Sequence, residues 1–177
     1  MASESASPRR LIVSLAVVGL AFALRWLASR DDPWLDEIWT WSLVQTRVKT
    51  PLDVLLALRH ENNHFLNTWW ILLLGPHADF VWYRLPAVVL GSLTVLLARM
   101  AVARAGKVAV GIVTLLTLPS YLLVHYSSEA RGYAYQMVFS LAAYVLLERL
   151  LRAFAANAAL SRRDRWLFAA TCVLGCL

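Results

Sequence analysis

A chain of 177 residues that is 60% hydrophobic, with a mean hydropathy of +0.59, is more apolar than soluble domains, and its excess is gathered into long runs. That pattern excludes an ordinary soluble domain and points to an integral membrane protein. The net charge of +6 would suggest nucleic acid in a soluble protein; in a membrane protein it reflects cytoplasmic loops, so no nucleic-acid partner is expected.

The chain opens with a polar lead to residue 8, then Arg9-Arg10 and an apolar run over residues 11–24. Basic residues ahead of about 14 apolar ones describe a cleavable leader, with Ala21 and Ala23 near the cut, as well as an anchor. The run continues through Arg25-Trp26-Leu27-Ala28, long enough to span if Arg25 snorkels to the far surface, and a retained anchor is the reading adopted. Asp32-Pro33 has the form of an N-cap followed by proline at the first helical position, so a helix is expected to begin there. Trp34, Ile38 and Trp41 follow at helical spacing, giving an apolar face suited to a bilayer surface. The adjacent acids Asp36 and Glu37 fall in the first turn, where the helix dipole favours them. Thr50-Pro51 with Asp53 repeats the start signal as a capping box, and Leu52, Leu55 and Leu56 form the expected buried stripe of a second helix. Residues 65–74 are apolar, but ten residues at ~1.5 Å each fall short of a core about 30 Å thick, so they read as interfacial or re-entrant.

Residues 85–103, 108–124 and 133–147 with Leu150-Leu151 read as further spans, and 166–177 as the start of another. A protein rarely ends in mid-membrane, so residues 1–177 are read as one membrane domain, the N-terminal portion of a longer one. The expected fold is all-α and polytopic, with four spans, the beginning of a fifth, and interfacial helices in the first outer loop. Charge sets the orientation. With the N-terminus cytoplasmic, the inner segments hold Arg9, Arg10, Arg99, Arg104, Lys107, Arg149, Arg152, Arg162, Arg163 and Arg165 against Glu4, Glu148 and Asp164. Every other acid falls on the outer side, as do all four histidines, so any chemistry is expected there. Making residues 65–74 a full crossing would put Arg99 and Lys107 outside and spoil the pattern.

Four outer features carry candidate chemistry. Asp36-Glu37 is the first, although acids in a first helical turn are also ordinary. His60-Glu61-Asn62-Asn63-His64 matches H-E-x-x-H, in which His60 and His64 would bind zinc and Glu61 would act as base. Two central asparagines suit a loop better than a helix, and no third ligand follows at a recognised spacing. The third is Tyr83-Arg84-Leu85-Pro86, a cation at the outer mouth of a span that serves either as a snorkelling anchor or in a site. The fourth is the stretch 126–133, which sets Glu129 and Arg131 in a short outer loop beside His125, with Gly132 permitting close approach and Tyr133 following. Arginine's planar fork suits a phosphate. Cys172 and Cys176, the only cysteines, read as two small residues of an apolar run rather than a disulfide or metal pair.

The order Leu35-Asp36-Glu37, then residues 62–68 (Asn-Asn-His-Phe-Leu-Asn-Thr), then Arg84-Leu85-Pro86, then residues 128–133 (Ser-Glu-Ala-Arg-Gly-Tyr) resembles the N-terminal part of family 39-type glycosyltransferases. These are GT-C fold enzymes that include protein O-mannosyltransferases and the lipid A aminoarabinose transferase. The resemblance runs from residue 10 onward; Phe65 stands where many such enzymes carry proline. It implies a donor made of a sugar on a polyprenyl phosphate and attack by an acceptor hydroxyl, with inversion at the anomeric carbon. On that resemblance Asp36 is the base and Glu37 orients the acceptor or holds Asp36 ionised. Arg131, supported by Arg84, meets the leaving phosphate, while His64, Asn63, Glu129 and Tyr133 line the donor site, binding sugar hydroxyls or a divalent ion. The partners implied are the lipid bilayer, the polyprenyl-phosphate sugar, and a glycan, lipid or protein acceptor. Composition rich in Ala, Arg and Leu suggests a bacterial plasma membrane with the active face outside. The rival readings are a membrane zinc protease built on residues 60–64 and a non-catalytic scaffold or transporter fragment.

Overall fold

The computed structural model describes residues 8–58 and 64–176, and every regular element among them is helical. Helix α1 (Pro8–Ala28) starts on a proline, whose missing N–H costs nothing at the first helical position. Arg25 does not snorkel as expected: it is 0% exposed, turned into the bundle, with Nη1 donating to the Ala21 carbonyl at 3.2 Å. The room for it comes from Gly91 on the neighbouring helix, where an added Cβ would lie 3.1 Å from Arg25 Nε.

That neighbour, α5 (Phe80–Ala101), is the central element and packs against both α1 and the later helix over Tyr133–Ala155. Beyond Tyr83 and Arg84 its buried residues are small, Ala87, Val88, Gly91, Ser92, Thr94, Val95 and Ala98, which let helix backbones approach closely. The Ser92 and Thr94 hydroxyls donate to the Val88 and Leu90 carbonyls, so neither is left unsatisfied in the interface. Pro86 lacks the N–H that would bond to the Trp82 carbonyl, and the Trp70 indole N–H takes that carbonyl instead at 2.8 Å. The helix begins at Phe80, earlier than expected, so Arg84 lies inside it rather than at its mouth.

The expected span over residues 108–124 is two helices, α6 (Lys107–Thr117) and α7 (Tyr121–Tyr126). Pro119 disfavours helix at the residue before it, and Ser120 then restarts the chain, its Oγ accepting from the Leu123 N–H. Helix α8 (Tyr133–Ala155) follows, and α9 (Arg162–Gly175) packs on it, capped by Ser161 and beginning earlier than the expected 166. Cys172 and Cys176 are free thiols at exposed positions. Among the described residues α1 and α5 are the two helices long and apolar enough to cross a membrane.

Three short helices cover one end of this bundle. Helix α2 (Leu35–Arg47) starts after Trp34 rather than at Asp32-Pro33, because the carbonyls of Asp31 and Asp32 are drawn to Arg84 and the Glu37 carboxylate accepts the Trp34 N–H at 2.8 Å. Its inward stripe is Glu37, Thr40 and Val44, at spacings of three and four, and Val48 just past its end is buried as well. Trp34 and Ile38 are exposed as expected, whereas Trp41 turns inward and donates to Tyr83 Oη at 3.2 Å. The Tyr83 hydroxyl in turn donates to the carbonyl of Gly75, which ends α4 (Phe65–Leu74) at a left-handed φ of +73°. The second expected helix is a single turn, α3 (Asp53–Leu56), whose start is held by Asp53 accepting the N–H groups of Lys49 and Thr50. Leu52, Leu55 and Leu56 are not its buried stripe: all three are exposed and Val54 is buried instead. One turn buries one side, and Val54 meets Val44, Val48, Leu58 and Ile71 there.

Packing α5 this tightly makes Gly91 the sensitive position, since a Cβ there would overlap the Ser127 side chain. Gly91→Val should destabilise the protein by about 1–3 kcal/mol. The check is the melting temperature in detergent, and an unchanged value would mean that α5 and residue 127 are not in close contact.

Candidate functional site

Glu37 and Arg84 form a buried, bidentate ion pair beneath the capping helices. Arg84 Nε donates to Glu37 Oε1 at 2.8 Å and Nη2 to Oε2 at 2.5 Å, with the side chains 2% and 0% exposed. The remaining Arg84 donors reach the carbonyls of Ser29 at 2.8 Å, Asp31 at 2.6 Å and Asp32 at 3.1 Å. Glu37 also accepts the backbone N–H of Trp34 at 2.8 Å and of Ala130 at 2.5 Å. All five guanidinium N–H groups and about four carboxylate acceptor positions are thereby used. The pair joins the α1–α2 connection, α2, α5 and the loop over residues 127–132. Its partners are saturated, so the expected contacts of Glu37 with an acceptor and of Arg84 with a phosphate have no bonding capacity left to use.

The loop is fixed through both backbone polar groups of one residue. Ala130 gives its N–H to Glu37, and its carbonyl accepts from Asn67 Nδ2 at 2.5 Å. Ser127 and Ser128 close back on the Leu123 and His125 carbonyls at 2.5 and 2.8 Å. Residues 127–130 are buried, which is unusual for a connection between helices and is possible because these bonds satisfy its polar groups. Gly132 answers a steric need: a Cβ there would overlap the His64 ring.

Above the buried pair lies an accessible layer. Arg131 Nη2 meets Asp36 Oδ2 at 2.9 Å, and the Asp36 side chain is 34% exposed. The same guanidinium donates to Tyr133 Oη at 2.8 Å, lies 4.6 Å from the centre of that ring, and reaches Glu129 Oε2 at 3.5 Å. On its other side Glu129 faces His125, Nε2 to Oε1 at 3.2 Å. Burial pushes the Glu129 carboxyl above its ordinary value; His125 and Arg131 oppose this shift and Glu37 adds to it. Aromatic rings wall the layer: Trp34 and Tyr121 contact His125, while Tyr126 and His64 contact Tyr133. Adjacent positions on a helix point about 100° apart, so Asp36 and Glu37 serve different layers.

The structure thus brings together Asp36, Glu37, His64, Arg84, Glu129, Arg131 and Tyr133 from four separate stretches of chain. His60, Glu61 and Asn63 lie outside the described residues, and with them the zinc pattern except His64. Among the described residues no three His, Cys, Asp or Glu side chains gather as a metal site. Asn67 is the residue whose part sequence reasoning missed. It stands within the 62–68 motif, three positions after His64, and only the fold shows that it holds the Ala130 carbonyl. Comparison of the chain with protein-family models, curated proteins and solved structures finds no match.

Leaving either buried charge without its partner should cost about 3–5 kcal/mol. Glu37→Leu and Arg84→Met are therefore each expected to unfold the protein at much lower temperature, while the double variant loses less than the sum of the two. Strict additivity in detergent melts would break the inference that they act as one unit. The Glu129 shift has a sign of its own. A folded value raised above the ordinary 4.5 makes ionisation costly, so this contribution is full below pH 4.5 and fades as pH rises through the folded value. The melting temperature of Glu129→Gln relative to the parent should therefore climb between pH 4 and pH 7; a flat or falling difference would contradict it.

Proposed function

We propose that this chain is the N-terminal part of a polytopic membrane glycosyltransferase. It moves a sugar from a polyprenyl-phosphate donor to an acceptor hydroxyl on a glycan, lipid or protein, at the extracytoplasmic face. The observation that carries this reading is the accessible Asp36–Arg131 pair, a carboxylate and a guanidinium 2.9 Å apart on a rigidly held loop and helix. The order of motifs resembling family 39-type enzymes supports the choice of chemistry, and the two apolar helices α1 and α5 support the membrane setting.

On this reading Asp36 takes the proton of the acceptor hydroxyl as its oxygen bonds to the anomeric carbon. The bond from that carbon to the phosphate oxygen breaks on the opposite face, and the electron pair leaves with the lipid phosphate. Arg131 stabilises the charge that builds there. A phosphate drawing Arg131 to itself also releases Asp36 from its ion pair, making its lone pairs available to the acceptor. Glu37 and Arg84 are positioning residues here: they fix the turn that carries Asp36 and the loop that carries Arg131. His64, Tyr133 and Glu129 line the space around the sugar, the aromatic faces meeting its apolar surface.

Membranes containing the full-length protein, supplied with a radiolabelled polyprenyl-phosphate sugar, test the proposal. Asp36→Asn should lower transfer about 10²–10⁴-fold, and Arg131→Gln about 10²–10³-fold. His60→Ala should leave transfer unchanged. If no donor is consumed, or if Asp36→Asn is indifferent, the glycosyltransferase reading is abandoned; loss with His60→Ala would favour zinc chemistry instead.

A further inference from the structure

The opposite end of α1 and α5 holds a second feature. A cavity of about 630 Å³ opens between the start of α1, the end of α5 and the start of α6, lined by Arg9, Arg99 and Lys107 together with Val13, Leu96 and Met100. Arg99 lies about 22 Å along α5 from Arg84, at ~1.5 Å per residue, so the cavity is separate from the Asp36–Arg131 layer.

Three cations line this cavity and no acid does. Among the described residues none of the three meets a carboxylate, in contrast to Arg84 and Arg131 at the other end. Arg99 is steadied by Thr114 on α6, Nη1 to Oγ1 at 2.6 Å, which places its guanidinium beside the cavity wall without neutralising it. Lys107 occupies the first position of α6, a helix with neither an acid in its first turn nor a side-chain cap, so the helix dipole adds to the positive field. Like charges gathered around an open space repel one another, and an anion seated among them relieves that repulsion.

The walls narrow the choice of anion. Half of the named lining is apolar, and the same two helices expose further apolar side chains, Leu11, Ile12 and Leu15 on α1 and Val108, Ile112 and Leu115 on α6. A free phosphate would use the cations and leave these surfaces idle. A phosphate attached to acyl chains uses both, and basic pockets between membrane helices on the cytoplasmic side take anionic headgroups. We propose that this cavity seats an anionic phospholipid of the cytoplasmic leaflet, its phosphate among Arg9, Arg99 and Lys107 and its chains along α1 and α6. The inference rests on the membrane orientation proposed above and is independent of sugar transfer.

The test uses the full-length protein in detergent, with native mass spectrometry reading retained phosphatidylglycerol against phosphatidylcholine. The parent should hold phosphatidylglycerol in preference, and raised salt should erode the preference. Arg9→Gln/Lys107→Gln, which alters two exposed side chains and leaves the Arg99–Thr114 bond in place, should weaken retention roughly 30-fold, at about fivefold per cation. Equal retention of both lipids by the parent overturns the proposal, as does an unaltered preference in the folded double variant. Inorganic phosphate displacing the lipid at millimolar concentration would assign the cavity to a soluble anion and overturn it too. Alkaline carbonate extraction of membranes keeps the two readings apart. Release of the protein sinks the membrane orientation and this site with it, whereas retention without lipid preference sinks the site alone.

Discussion

Burying a guanidinium and a carboxylate is costly unless every donor and acceptor finds a partner, and the capping end of this protein is built around meeting that condition. Arg84 alone cannot do so from within α5. It draws in three carbonyls of the 29–32 connection and the carboxylate of Glu37 from α2. Glu37 in turn draws in the N–H groups of Trp34 and Ala130. Segments far apart in sequence are thus held in register by the satisfaction of one pair of charges. The apolar contacts of Val44, Val54, Ile71 and Tyr83 add burial but carry no comparable directionality.

A consequence is the division of work between two neighbouring acids. Glu37 faces inward and is saturated, so its carboxylate acts as structure. Asp36, one position earlier, faces the accessible layer and meets a cation that also touches Tyr133 and Glu129. A side chain held by several weaker partners at a surface can change partners when a ligand arrives, whereas one held by a complete buried set cannot without unfolding its surroundings. Exchange of partners at Arg131 over a fixed Glu37–Arg84 base is therefore the mechanical content of the proposed chemistry.

Much of the local fold was legible in the sequence, and the failures share a cause. The ten-residue helix Phe65–Leu74 follows from its apolar run, and the grouping of residues 36, 37, 64, 84, 129, 131 and 133 from motif order. What the chain does not reveal locally is tertiary demand on backbone groups. The start of α2 moves past Asp32-Pro33 because Arg84 takes the carbonyls there. Hydropathy joins α6 and α7 across Pro119 because a window average does not register a missing N–H. Leu52, Leu55 and Leu56 fit a buried stripe by spacing, but a four-residue helix has only one inward position, and Val54 holds it. Arg25 reads as a snorkelling end until Gly91 is seen to leave room for it inside. In the site, adjacency alone put both Asp36 and Glu37 among the reacting groups; burial separates them, with Glu37 held inside by Arg84 and Asp36 left in the accessible layer.

The two ends of α5 carry the same residue type in opposite electrical settings. Arg84 is cancelled by Glu37, and nearby Arg131 is shared between Asp36 and Glu129. Arg99, at the other end, bonds a threonine hydroxyl and stands with Arg9 and Lys107 around a cavity without acids. Among the described residues the arginines beside the Asp36 layer are therefore matched by carboxylates, and the cations around the cavity are not. An unpaired cluster beside exposed aliphatic surface is poorly served by water alone, since water solvates the charges but not the apolar walls between them. An amphipathic anion answers both, and in a bilayer such anions are the solvent itself.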